Sequence, residues 1–283
     1  MIGAIIGDVI GSTREFSPVD RHDFELFPEG SDFTDDSLMT IAQGLAFRDF
    51  LAMTFRERTD QHLKAMLISR MKEIGRRFPN PTGSYGQRFG LWLRLKNSEA
   101  YNSWGNGSAM RVSAAAESAT SLEEALHFAQ ISAAVTHNHP EGIKGAQAVA
   151  AAIYLARAGE SVEAIAECIS RNFYPLTRSL AEIKPTYHFD ESCQATVPES
   201  IQAFVEATSF EDAIRNTVWL GGDADTMGAI TGSIAWAYYE RNGGIDEQMR
   251  LMTLNALAVL PDELRIIVTE YEDKLAKRRF SLG

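Results

Sequence analysis

The stretch Thr34-Asp35-Asp36-Ser37-Leu38-Met39-Thr40-Ile41-Ala42-Gln43-Gly44-Leu45-Ala46 decides the fold class. Its apolar residues Leu38, Ile41, Ala42, Leu45 and Ala46 recur three and four apart, the period of a helix with one buried face and not the alternation of a half-buried strand. The spacing predicts a helix whose first turn carries two adjacent carboxylates and two hydroxyls, at the end where the peptide dipole favours negative charge. Capping accounts for one of these acids. The second repels its neighbour unless solvent or a cation separates them.

The same period extends outward in both directions. Asp60 to Arg77 places Leu63, Met66, Leu67, Met71 and Ile74 on one side of a helix, and Ser121 with Glu124 forms a capping box ahead of Ala125, Phe128 and Ala129. Pro140 stands where a first helical residue belongs, before an Ala-rich segment that ends at Gly159; Ser161 opens another helix, and Pro261 precedes an amphipathic one from about Asp262 towards Arg279. Gly3, Gly7 and Gly11 repeat every fourth position, as do Gly228 and Gly232, so two helices carry smooth stripes on which another backbone can pack closely. Strand signals are nearly absent, and the expected fold class is all-α. The least helical stretch is Phe78 to Gly107, rich in Pro and Gly and long enough to be functional; residues 175–200 read as a second irregular patch, a surface loop. No linker, repeat or low-complexity tract divides the chain, so residues 1–283 are expected to form one domain.

At 283 residues and 45% hydrophobic, the chain has ample material for a core, which excludes disorder. A net charge of −11 argues against a surface built for nucleic acid. Cys168 and Cys193 are too few and too far apart for a disulfide scaffold or a thiolate metal motif, which points to a reducing, cytoplasmic setting. The apolar run Met1 to Ile10 lacks a basic flank and is interrupted by Asp8, and no stretch approaches the roughly 20 uncharged residues of a bilayer span, so no membrane association is expected. The oligomeric state leaves no mark in the sequence.

Far from Thr34, the segment Gly221-Gly222-Asp223-Ala224-Asp225-Thr226 repeats the arrangement of acids, hydroxyl and helix start. If the two helix starts meet, four carboxylates create a local charge of about −4, which a buried site does not tolerate without cations. Oxygen ligands without Cys or an obligatory His suit hard ions, a pair of Mg²⁺ or Mn²⁺. Trp104-Gly105-Asn106-Gly107-Ser108-Ala109-Met110 leaves the irregular stretch and enters an Ala-rich helix, so its backbone N–H groups suit a phosphate or diphosphate. Gly83-Ser84-Tyr85-Gly86 offers a second amide cradle, and Trp104 a flat face for a purine. In Thr136-His137-Asn138-His139-Pro140, His137 reads as a hydrogen-bond donor to ligand hydroxyls or as a helix cap, not as a zinc ligand. Glu15, after the first apolar run, is either a solvated helix end or an acid delivered into a cleft.

Taken in order, Gly7-Asp8 with Glu15, Thr34-Asp35-Asp36, Gly105-Asn106-Gly107 leading to Met110-Arg111, Thr136-His137, and Gly222-Asp223-Ala224-Asp225-Thr226 resemble the ADP-ribosylglycohydrolase family. The resemblance implies an all-helical orthogonal bundle in one domain, with a central cleft that holds two Mg²⁺ or Mn²⁺ ions. It implies hydrolysis of the bond between ADP-ribose and an acceptor, foremost arginine on protein. Carried over by position, Thr34, Asp35, Asp36, Asp223, Asp225 and Thr226 match the metal ligands. Glu15 matches the acid that closes on the cleft, and Asp35 and Glu15 are the catalytic candidates. Ser103, Trp104, Gly105 and Asn106 match the segment around the adenosine end, His137 the histidine near the ribose, and Gly83 and Tyr85 the phosphate loop in outline. Ser37 stands where the family often has Thr, and keeps the hydroxyl. The alternatives are an ADP-ribose-binding module without catalysis on the same scaffold and a two-metal phosphoester hydrolase.

Overall fold

The computed structural model describes residues 1–96 and 99–282, with side chains as far as residue 276. Helices follow one another throughout: α1 (Ile2–Gly11), α2 (Asp35–Ala52), α3 (Asp60–Arg77), α4 (Gln87–Arg94), α5 (Gly107–Met110), α6 (Ser113–Ser118), α7 (Leu122–Ala134) and α8 (Pro140–Ala158). Then come α9 (Val162–Asn172), α10 (Leu180–Ile183), α11 (Cys193–Val205), α12 (Phe210–Leu220), α13 (Ala224–Gly243), α14 (Glu247–Ala258) and α15 (Asp262–Leu282). Among the described residues the only β-type pairings are two isolated bridges, Thr34 with Thr82 and Gly105 with Ser192. The all-α expectation holds.

The pair α1 and α13 forms the axis of the molecule. Every residue of α1 is buried, and its glycine stripe lies against that of α13 so tightly that a Cβ on Gly7 would stand 1.9 Å from the Gly228 carbonyl oxygen. A Cβ on Gly3 would meet Gly232 at 2.2 Å and one on Gly11 would meet Ala224 at 2.3 Å, so the backbones touch over the length of α1. This contact sets the last turn of α1, with Asp8, beside the first turn of α13, with Asp225. Around the axis, α8, α11 and α12 pack on α13, while α2 packs on α1, α3, α6 and α15. One hydrophobic core runs continuously from Met1 to Leu275, with a small satellite of Leu180, Ile183, Ala203, Leu220 and Met227.

Local rules place several elements well. α3 spans the predicted Asp60–Arg77, α8 begins at Pro140 and closes on Gly159 in the left-handed conformation at φ 91°, and Ser161 caps α9. The box at Ser121 is half formed: its hydroxyl accepts from Glu124 N at 3.1 Å, but the Glu124 carboxylate takes the N–H of Thr120 instead.

Three readings are corrected by packing. The stretch Phe78 to Gly107 contains α4, a helix despite Gly90, because Phe89, Trp92 and Leu93 fall on one face and are buried, with Leu93 seated over Gly75 of α3. The Ala-rich helix expected after Asn106 is broken at Arg111 and Val112 into α5 and α6. The patch at 175–200 is not a plain surface loop: it holds α10 and the start of α11. Pro198 sits inside α11, where it costs about 3 kcal/mol of helix propensity. The complete burial of Val197, Ile201 and Phe204 on that helix offsets the cost.

Candidate active site

Asp8 is the only charged side chain of α1 and is fully buried. Its Oδ2 accepts the backbone N–H groups of Thr34 and Ser37, each at 3.0 Å, and its Oδ1 accepts the Thr34 hydroxyl at 2.7 Å. The Ser37 hydroxyl donates to Asp8 as well. Asp8 thus satisfies open donors at the start of α2 from another helix, while the Thr34 hydroxyl accepts from Asp36 N at 3.1 Å. Capping therefore uses neither Asp35 nor Asp36, contrary to the expectation that it absorbs one of them. Both carboxylates are left for the cleft.

Across the α1–α13 contact stand Asp223, Asp225 and Thr226. The Thr226 hydroxyl donates to Asp36 Oδ2 at 3.2 Å, which joins the two acidic helix starts directly. Asp8, Asp36 and Asp225 each bring one carboxylate oxygen within 4.8 Å of the others, and so do Glu15, Asp223 and Asp225. Asp225 belongs to both groups. Burial, reinforced by the charge of Asp225, pushes Asp35, Asp36 and Asp223 well above the usual carboxylate range, and Asp8 up to about 7. Glu15, half-buried in the turn after α1, is likewise pushed up to about 7 by burial, by Asp225 and by Glu191.

This donor set fits a hard divalent cation. It is all oxygen, and the buried Asp36 Oδ1 has no hydrogen-bond partner among the described residues, a costly state unless a cation meets it. Both threonine hydroxyls donate to carboxylates and so keep a lone pair free to ligate.

The acidic group opens into a cleft of about 650 Å³, lined among others by Glu15, Asp35, Tyr85, Asn106, His137 and Asp225. Gly83, at φ 78°, lies close enough that a Cβ there would be 4.0 Å from both Asp225 Oδ2 and Glu15 Oε2. Tyr85 lines the cleft with its ring, since its hydroxyl donates to Phe78 O at 2.9 Å. Asn106 Nδ2 donates to Asp223 Oδ2 at 2.6 Å and holds that acid in place. Two amides expected to face a phosphate are occupied within the protein: Gly105 N donates to Ser103 Oγ at 3.1 Å, and Asn106 N to Glu191 O at 2.8 Å. Trp104, expected to face the purine, is 48% exposed with its ring tilted on His139, and unlike Ser103, Gly105 and Asn106 it does not line the cleft.

His137 is buried and His139, not His137, caps α8, accepting from Glu141 N at 3.1 Å. Burial, with Arg111 and Arg88 nearby, holds the His137 imidazole well below its ordinary pKa and hence neutral. Its Nδ1 lies 2.7 Å from Thr136 Oγ1 and 3.4 Å from Arg111 NH2; because the guanidinium can only donate, Nδ1 is the acceptor and the proton sits on Nε2. Nε2 faces the Gly105–Gly107 backbone, where a Cβ on Gly107 would lie 3.3 Å away. Arg111 is itself buried, donating to Thr136 Oγ1 at 2.7 Å and lying over the Phe89 ring at 5.2 Å.

The ADP-ribosylglycohydrolase family model matches residues 1–278. The chain belongs to the ADP-ribosylglycohydrolase family. It is 26% identical over 272 residues to the ADP-ribosylarginine hydrolase Tri1 of Pseudomonas putida (strain GB-1), covering 86% of this chain and 70% of that one. It is 24% identical over 312 residues to human ADP-ribosylhydrolase ARH3, covering 84% of each. A solved structure titled ADP-ribosylglycohydrolase-related protein complex shares the fold with a TM-score of 0.58 at 23% identity, covering 91% of this chain and 94% of that one. Membership makes the chain a hydrolase of ADP-ribosyl conjugates, and no helix among the described residues is long and apolar enough to cross a membrane.

Sequence reasoning assigned no role to Asp8, Arg111 or Glu191. A lone acid inside the apolar run of α1 was the available signal for Asp8, since a buried carboxylate must find donors. Glu191 belongs to the patch read as a loop, and nothing local marks it.

Proposed function

We propose that this protein hydrolyses the N-glycosidic bond between ADP-ribose and the guanidinium of arginine on a protein, with two divalent cations, Mg²⁺ or Mn²⁺, held by Thr34, Asp35, Asp36, Asp223, Asp225 and Thr226. The observation that carries the reading is the meeting of Asp36 with the start of α13 through Thr226, with Asp36 Oδ1 buried and unpartnered among the described residues. The relative that acts on ADP-ribosylarginine favours the acceptor. When bound, the cations supply Lewis-acid activation and a chelating seat for vicinal hydroxyls.

The chain's own residues do the rest. His137 Nε2–H offers a donor to a hydroxyl or phosphate oxygen in the cleft. Neighbouring carboxylates stabilise the positive charge that develops on the ribose as its bond to nitrogen breaks. Water forms the new bond to the anomeric carbon, its proton passes to the carboxylate of Glu15 or Asp35, and the guanidine leaves with a proton. Glu15 is suited by its half-buried place in the turn after α1 and Asp35 by its place at the start of α2, where both line the cleft.

Incubation with Mg²⁺ and an arginine-ADP-ribosylated protein tests the reading. Release of free ADP-ribose supports it; release of AMP would establish phosphoester hydrolysis instead, and retention of the intact conjugate would establish a binding module.

A further inference from the structure

The cleft carries charges of both signs. Arg111 and Arg88 stand beside His137, where both act on the imidazole, and Arg88 lies over the Tyr101 ring at 4.9 Å. Glu15 lies beside Asp223 and Asp225, and the charge of Glu191 acts on it. A cationic group is drawn to these carboxylates.

Next to Glu15 in the chain, and two residues before Glu191, two phenyl rings sit in water. Phe16 is 79% exposed and Phe189 40% exposed, yet they stack with centroids 5.9 Å apart and 29° between planes, and both line the cleft. They come from remote segments, the turn after α1 and the stretch between α10 and α11. So exposed a pair contributes little to the core, and an open aromatic face flanked by carboxylates has a definite chemical complement. A guanidinium is planar, weakly hydrated and cationic; it stacks on aromatic faces and donates several N–H bonds to carboxylates. The Glu191 segment is also tied to the catalytic floor, since Glu191 O holds the N–H of Asn106, whose side chain holds Asp223.

We propose that Phe16, Phe189 and Glu191 form the acceptor seat of the enzyme, a platform on which the guanidinium of ADP-ribosylarginine rests while Glu15 closes beside it. This inference depends on the arginine reading above and adds to it the residues that select the acceptor. An uncharged serine acceptor gains nothing from such a seat.

The test compares the full chain and its variants Phe16→Ala, Phe189→Ala, Glu191→Gln and Phe16→Tyr in saturating Mg²⁺. It reads KM and kcat on ADP-ribosylarginine, and the inhibition constant of free ADP-ribose, which lacks the acceptor. Loss of either ring raises KM about five- to thirtyfold, the range expected for losing a cation–π contact that is partly desolvated. Glu191→Gln raises KM more at low than at high ionic strength. Phe16→Tyr keeps KM within about twofold, and ADP-ribose inhibition is unchanged within about twofold in all four, because the product never occupies the seat. An inhibition constant that rises in step with KM would show that the rings hold the ADP-ribose itself, and an unchanged KM would show that they hold nothing; either result overturns the inference. A wild-type chain inactive on ADP-ribosylarginine removes the arginine reading and the seat together, whereas an active wild type with unaffected variants removes the seat alone.

Discussion

Asp36 is the residue on which the site turns: one oxygen is shared with Thr226 and the other has no partner among the described residues. Asp36→Asn and Asp225→Asn are each expected to weaken Mn²⁺ binding by at least about 100-fold, measured by calorimetric titration, with hydrolysis lost in proportion. Asp8 acts one step removed. Four donors from Thr34 and Ser37 converge on it. An amide in its place presents two N–H groups to donors it can no longer satisfy. Asp8→Asn is expected to weaken Mn²⁺ about 10- to 100-fold and to lower thermal stability as well, whereas Asp36→Asn in chelator leaves stability unchanged or raises it, since it removes a buried acid crowded by Asp225, Asp8, Asp35 and Asp223. Thermal melts of both variants in chelator check that split. The metal-facing pairs at Thr34–Asp36 and Asp223–Thr226 were legible because acids beside a helix start form a local pattern. Asp8, Arg111 and Glu191 were not, because their roles come from contacts with residues remote in the chain.

At the scale of elements, the contact of α1 with α13 is what brings the acids together, and it leaves no space for a methyl group. Gly7→Ala is expected to destabilise the protein by more than about 3 kcal/mol, or to prevent soluble expression, because the clash is with backbone that cannot rotate away. Gly243→Ala, at a position with nothing within 4 Å, is the control and is expected to be neutral or slightly stabilising by chemical denaturation. The glycine stripes announced this contact because their spacing is a property of single helices. The boundaries of α3 and α8 were equally readable from caps, Pro140 and Gly159. α4 and α11 were hidden for the opposite reason: Gly90 and Pro198 argue against helix locally, and only burial against remote partners outweighs them.

At the scale of the whole molecule, a cleft that gathers acids before its cations arrive stores a dependence on pH. Asp8, Asp35, Asp36 and Asp223 all hold their protons above the usual range in the folded chain. Between about 4, where aspartate titrates in the unfolded chain, and about 7, the folded form binds more protons, so stability falls as pH rises through that window. His137, held neutral by burial, works the other way below 6.5, one group against these four and Glu15. Calorimetry of the chelator-treated protein is expected to give a Tm about 5–10 °C lower at pH 7.5 than at pH 5, corresponding to a few kcal/mol, and Mg²⁺ is expected to restore it at pH 7.5. A Tm that rises with pH in chelator would mean that the acids are not held together without metal.

The most direct test is anomalous diffraction from crystals grown with Mn²⁺. The account predicts peaks between the starts of α2 and α13, one within roughly 2.0–2.2 Å of Asp36 Oδ1 and sharing Asp225 as a ligand. A saturated crystal with no peak there, or with Mn²⁺ bound only elsewhere on the surface, would contradict it.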